Sequence, residues 1–156
     1  MTIYAVSGHQ EAPQSVWSLL AARLPAILGG PPFVGASSLA AGADQKFAEE
    51  VLGLGGRLHV ILPCSNYESS FEQETDLLQF RALLSRASEV ETLDFAEPTE
   101  DAYLAAGKRV VDLCDVLVAV WDGLPAQGKG GTADAVAYAY SLSKPVTVIW
   151  PPGVRR

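Results

Sequence analysis

Basic residues are scarce in this chain. Eleven lysines and arginines stand against 18 aspartates and glutamates, for a formal net charge of −7. That balance argues against non-specific nucleic-acid binding, which depends on clustered cations releasing counterions from the phosphate backbone. It leaves room for a nucleotide, because a local pocket can be positive on an acidic protein. Cysteine is scarce too. Cys64 and Cys114 lie far apart, give no metal or redox spacing, and are expected to be reduced and buried. No Cys/His/Asp cluster has ligand spacing, so neither a metal nor a cofactor is expected. The longest apolar runs are of strand length, so no membrane span is expected. The N-terminus, MTIYAVSG, lacks a basic region and opens directly into a strand, unlike a signal peptide, so the expected location is cytoplasmic. Repeats and low-complexity tracts are absent. With 156 residues, 49% hydrophobic and 19% charged, one domain over 1–156 with a sizeable core is expected.

The most informative stretch is DVLVAVWDGLPAQGKGGTADAVAYAY, from Asp115 to Tyr140. Asp115 to Trp121 has no polar face, the pattern of a strand buried on both sides in a parallel sheet. The chain then passes Asp122-Gly123 and a loop containing Gly128, Gly130 and Gly131. A small-residue helix is predicted from Thr132, with Ala133, Val136, Ala137 and Tyr140 at helical spacing. Strand, glycine loop and helix N-terminus together make an anion site, because free backbone N–H groups and the positive end of the helix dipole converge there. A nucleotide phosphate is the expected occupant. Gly123 to Gly130, GLPAQGKG, also nearly matches the NTPase phosphate loop. Gly130, however, stands where the magnesium-binding hydroxyl belongs, and Val146 to Trp150 offers no acidic partner for a metal. A plain glycine-rich surface loop is the remaining alternative.

Taken in order, Ile3 to Val6 predicts a first strand. A helix after Pro13 has Val16, Leu19, Leu20, Leu24 and Ile27 on one face, and Pro25 is expected to end or kink it. Phe33 to Leu39 and Leu58 to Leu62 predict further strands, with a helix through Phe47, Ala48, Val51 and Leu52 between them. The section from Cys64 to Glu100 is the least regular, with a helix through Leu77, Phe80 and Leu84 and a weak strand over Glu91 to Phe95. A helix from Asp101 to Cys114 leads into the Asp115 strand, and Val146 to Trp150 closes the sheet. The predicted architecture is a doubly wound, Rossmann-like α/β domain. It has five or six mostly parallel strands, helices on both faces, and its ligand loops at the strands' carboxyl ends.

Two stretches carry a family resemblance. SSLAAGADQKFAEEVLGLGGRLHVILPCSNYESSF (Ser37 to Phe71) is similar to the DNA-processing protein A pattern, in which a small-residue G-x-D turn opens a helix. The stretch from Cys114 to Trp150, with GKGGTADAVAYAY and KPVTVIW, resembles the Lonely Guy phosphate loop and the nucleoside deoxyribosyltransferases. The chain is thus identified as resembling the SLOG group of Rossmann-like nucleotide-binding domains. That resemblance implies a nucleotide ligand and self-association as a homodimer. Lonely Guy enzymes place a glutamate three residues after the threonine, where this chain has Ala135. Asp134 is one position short, a rotation of about 100° on a helix. Lys108-Arg109 stands near the position of those enzymes' catalytic arginine, about three residues out of register. The resemblance therefore supports nucleotide binding more than N-glycosidic cleavage.

The candidate ligand residues follow from these readings. Gly130, Gly131 and Thr132 are expected to hold a phosphate, with a plain N-cap and turn as the alternative. Lys129 would neutralise it or stand solvated. Asp122-Gly123 offers ribose a carboxylate or is simply a turn. Gly42 and Asp44 approach from the second strand's loop, where Asp44 also suits an N-cap. Ser7, Gly8 and His9 end the first strand, and His9 suits acid, base or ribose-donor roles. His59 reads as a core or edge residue, and Trp121 as core filling, with stacking on a base as the alternative. The expected function is binding of an AMP- or ADP-ribose-like nucleotide. The alternative is a nucleoside 5′-monophosphate phosphoribohydrolase, for which Asp134 and Asp122 are the candidate carboxylates and Asp44 a further one. Single-stranded DNA binding is disfavoured by the acidic balance.

Overall fold

Side chains along Val116–Val120 (β5) alternate between two cores, which is why this strand shows no polar face. Leu117 and Ala119 point into one apolar cluster, Val118 and Val120 into another. The computed structural model of the chain describes residues 1–125 and 131–156. Thr2–Gly8 (β1), Phe33–Ser37 (β2), Arg57–Leu62 (β3), Glu89–Thr92 (β4), β5 and Val146–Ile149 (β6) form one sheet of six strands in the order β4-β3-β2-β1-β5-β6. Every pairing is parallel.

Helices cover both faces. Gln14–Leu28 (α1), Ala43–Gly53 (α2) and Glu74–Leu84 (α3) pack on one side, through clusters centred on Phe33, Phe47 and Phe80. Glu100–Leu113 (α4) and Thr132–Ser141 (α5) cover the other, against Ala5, Leu117 and Ala119. Thr99 caps α4 by accepting from the Ala102 amide at 3.2 Å, with Glu100 and Asp101 in the first turn where the dipole favours them. The predicted α/β class, parallel sheet and two-sided helical cover are all present.

Three local expectations differ. Pro25 does not end α1, which runs to Leu28 with Leu24 and Leu28 buried. Pro25 and Ala21 face outward, so water can reach the carbonyl that proline leaves without its amide partner. The weak strand lies two residues earlier than expected, at Glu89–Thr92, on a sheet edge where Val90 is exposed and burial imposes no pattern. On α5 the buried set is Thr132, Ala135, Val136 and Ala139, while Tyr140 is 60% exposed. The helix is apolar on nearly every side, so its sequence marks no unique face. Packing turns Thr132 inward.

Candidate functional site

Strand order reverses between β1 and β5. From there α1 crosses to one face and α5 to the other, leaving a crevice beyond the carboxyl ends of the two strands. A cleft of about 310 Å³ fills it. Ser7, Gly8 and His9 line it from the end of β1, Asp44 from α2, Gly131 and Thr132 from the start of α5, and Tyr67 and Tyr103 from the side. A wider cleft of about 970 Å³ adjoins it, sharing His9, Tyr67, Tyr103 and Arg156. Six of the candidate ligand residues from the sequence thus meet in one crevice. Lys129 and Gly130 lie outside the described residues.

The α5 end of the cleft suits an anion. The N-cap is Gly131, which offers the first turn no side-chain acceptor. Thr132 is 6% exposed and lines the cleft. Among the described residues its hydroxyl has no hydrogen-bond partner. A helix N-terminus without a side-chain cap, beside this hydroxyl at the positive end of the helix dipole, makes an anion cradle.

Asp44 faces that end from the other side of the sheet's carboxyl edge. Its neighbourhood is fixed by buried polar groups. Ser37 Oγ accepts from the Leu39 amide at 3.1 Å and donates to the Asp44 carbonyl at 3.1 Å. Gln45 donates through Nε2 to the carbonyls of Leu39 and Asp76. Asp44 Oδ2 accepts from the Ala40 amide at 3.3 Å, so its carboxyl holds the loop before α2 rather than the helix's own first amides. Burial pushes the Asp44 carboxyl up to about 7, against the lowering effect of the Ala40 amide. Tyr67 is likewise raised, first by burial and then by the charge of Asp44.

Asp122 is placed differently from its candidates' role at the ribose. Its side chain is 3% exposed and is not part of the cleft wall. Oδ1 accepts from the Leu124 amide at 3.0 Å and lies 3.4 Å from His9 Nε2. Oδ2 meets Arg156 Nε at 3.1 Å, as an ion pair without hydrogen-bond alignment. Asp122-Gly123 forms the tight turn that was the alternative reading, with Gly123 at φ 84°. Burial raises the Asp122 carboxyl, but the Leu124 amide, His9 and Arg156 together outweigh it and hold it below the usual carboxylate range. His9 stacks edge-on against Trp150, and Arg156 lies 3.3 Å from its Nδ1. Burial and the Arg156 charge lower the His9 pKa, so its neutral form prevails at pH 7. Asp122→Asn is expected to cost about 1–2 kcal/mol at pH 7. A depressed carboxylate stabilises the fold above its unfolded value and stops doing so as the pH falls through the folded one. The deficit of this variant should therefore shrink below about pH 4, as denaturant melts at two pH values would register.

Gly42 lies behind the crevice, pressed against the Gln10 backbone, and the Ala43 amide donates to the His9 carbonyl at 3.2 Å. Asp134 sits in the first turn of α5, outside the cleft wall. Trp121 borders the cleft while its indole N–H donates to the Leu124 carbonyl at 2.9 Å. Sequence reasoning missed Tyr67, Tyr103 and Arg156 as site residues. Tyr67 stood in a polar loop and Tyr103 on a helix face that reads as core. Arg156 carries no signal in the sequence at all. Among the described residues no group of three or more His, Cys, Asp or Glu side chains is arranged to hold a metal. No helix among them is long and apolar enough to cross a membrane.

This architecture recurs in solved structures. DNA processing protein A from Streptococcus pneumoniae superposes with a TM-score of 0.74 at 15% identity, covering 98% of this chain and 52% of that one. The two share a Rossmann-like fold. DNA processing protein A from Helicobacter pylori, described for its single-stranded DNA binding mode, gives 0.72 at 19% identity over 98% of this chain and 67% of that one. The molybdenum cofactor binding protein from Rippkaea orientalis gives 0.60 at 19% identity, over 94% and 75%. The chain thus spans about half the length of the Streptococcus protein. No family model matches the sequence, and no curated protein matches it.

Proposed function

We propose that this chain binds a small phosphorylated ligand of nucleotide type, AMP- or ADP-ribose-like, with its phosphate at the start of α5. One observation carries the reading: the first turn of α5 has no side-chain cap and opens into a crevice at the reversal of strand order, together with a Thr132 hydroxyl that has no partner among the described residues. The molybdenum cofactor proteins of this fold support a small-molecule ligand. The DNA processing proteins of the same fold offer single-stranded DNA as a rival, against which the net charge of −7 weighs. A cytoplasmic location and a homodimer belong to the same reading.

AMP or ADP-ribose at about 100 times its Kd is expected to stabilise the protein by about 2.7 kcal/mol, a rise in Tm of roughly 5–10 °C. Thr132→Val keeps the shape of the side chain and removes the hydroxyl, and is expected to weaken binding about tenfold. The absence of any shift with a panel of phosphorylated ligands, inorganic phosphate included, would overturn the reading.

A second reading, hydrolysis of a nucleoside 5′-monophosphate, is favoured by one detail. Of Asp44, Asp122 and Asp134, Asp44 is the carboxyl that lines the cleft, and its value of about 7 suits a general acid or base. Free adenine appearing when AMP is incubated with the protein, and absent with Asp44→Asn, would establish it.

A further inference from the structure

Asp44 is a carboxyl with half of its hydrogen-bonding capacity unused. The residue is 9% exposed and lines the cleft. Oδ2 is taken by the Ala40 amide, and among the described residues no donor reaches Oδ1. Of the buried side-chain oxygens among the described residues that lack a partner, Asp122 Oδ2 is the one found, so Asp44 Oδ1 is open to the cleft and free to accept a donor from outside the protein. The first turn of α2, which carries it, is held by Ser37 and Gln45, so the oxygen is a fixed fixture of the wall rather than a mobile surface group.

The cleft therefore has two unlike ends. Thr132 and the N-terminus of α5 offer donors, which suit an anion. Asp44 offers an acceptor and would repel one, so a phosphate is steered to α5 and the ligand's donor-bearing part to α2. We propose that Asp44 determines the specificity of this cleft, its Oδ1 accepting a hydrogen bond from a hydroxyl or amino group of a ligand whose phosphate lies on α5. The inference rests on the proposed function and deepens it by naming what the ligand must carry besides phosphate. Ribose hydroxyls and the exocyclic amine of a base both meet the requirement.

A donor on Oδ1 favours the ionised carboxyl, so ligand binding should expel a proton. The titratable and charged groups that share the cleft are His9 from the loop after β1, Tyr67 from the turn before α3, Tyr103 from α4, and Arg156. Cys64 lies close to Tyr67, and Asp76 of α3 is tied to α2 through its own carbonyl and Gln45. Burial and Arg156 lower His9 while burial raises both tyrosines, which moves all three away from pH 7. Asp44, at about 7, is half protonated there.

The test is calorimetric titration of the full chain with AMP at pH 7, in two buffers of different ionisation enthalpy, followed by 2′-deoxy-AMP, 2′,3′-dideoxy-AMP and IMP. The wild-type protein should release up to about half a proton more per AMP bound than Asp44→Asn does, the phosphate's own ionisation being common to both. AMP should bind about 10–100-fold more weakly to that variant. Loss of affinity with the deoxy compounds would assign Oδ1 to a ribose hydroxyl, and loss with IMP to the base amine. In either case the difference between analogues should vanish in Asp44→Asn. AMP bound by the variant as by wild type, with the same proton release and ranking of analogues, would overturn the inference and leave the proposed function standing. Wild-type protein that binds neither AMP nor inorganic phosphate would remove both.

Discussion

Asp44→Asn should flatten the pH dependence of stability. The folded protein holds the Asp44 carboxyl at about 7 because burial penalises its charge, whereas an unfolded chain ionises it near 4. A raised carboxyl means that the native state binds the proton more tightly than the unfolded state does. Its contribution is therefore greatest below about pH 4, declines as the pH rises to about 7, and is spent above that. The full excursion is roughly 4 kcal/mol. Asparagine keeps an acceptor for the Ala40 amide and cannot ionise, so the variant should gain on wild type steadily between those limits. Urea denaturation of both proteins at pH 4, 6 and 8 measures it. Parallel curves would mean that Asp44 is ionised at little cost and that its burial has been misread.

Gly42→Ala should be among the most damaging single substitutions outside the core. Gly42 adopts φ 83° and ψ −124°, a region closed to residues with a side chain, and its carbonyl side leads directly into α2. An added Cβ would collide with the Gln10 backbone carbonyl, which has no flexible end to move aside. Strain and collision together are expected to cost about 2–4 kcal/mol, or roughly 5–15 °C in Tm. Because the Ala43 amide donates to the His9 carbonyl, the same shift would separate α2 from the loop after β1 and open the cleft. Gly107→Ala is the control. It lies within α4 with nothing near its added methyl group, and should stabilise the helix by about 0.5–1 kcal/mol. Thermal melts of the two variants should move in opposite directions; similar losses would show that the Gly42 contact is not special.

Much of this was legible in the sequence because the sheet is parallel and buried on both faces. Strands such as Val116–Val120 must be apolar on every side, and they stand out between glycine turns. The crevice was legible for the same reason: in such a fold the loops after β1, β2 and β5 converge, which brought Ser7, Asp44 and Thr132 together on paper. What escaped was set by tertiary geometry. Asp122 could face a ligand or fold into its own turn, and only the positions of Leu124, His9 and Arg156 decide for the turn. Helix α5 is too uniformly apolar for its pattern to say that Thr132 points inward. Arg156 reaches the cleft from more than a hundred residues away from His9, a contact no local pattern encodes.

The central claim, that the start of α5 receives a phosphate, is most directly tested by following backbone amides in a ¹H–¹⁵N spectrum during titration with AMP. Saturable shifts at Gly131, Thr132 and Ala133, with smaller ones at Ala40 beside Asp44, are the predicted result, and Thr132→Val should need about ten times more ligand to reach them. Shifts that never saturate, or that cluster away from the crevice while these amides stay still, would contradict the account.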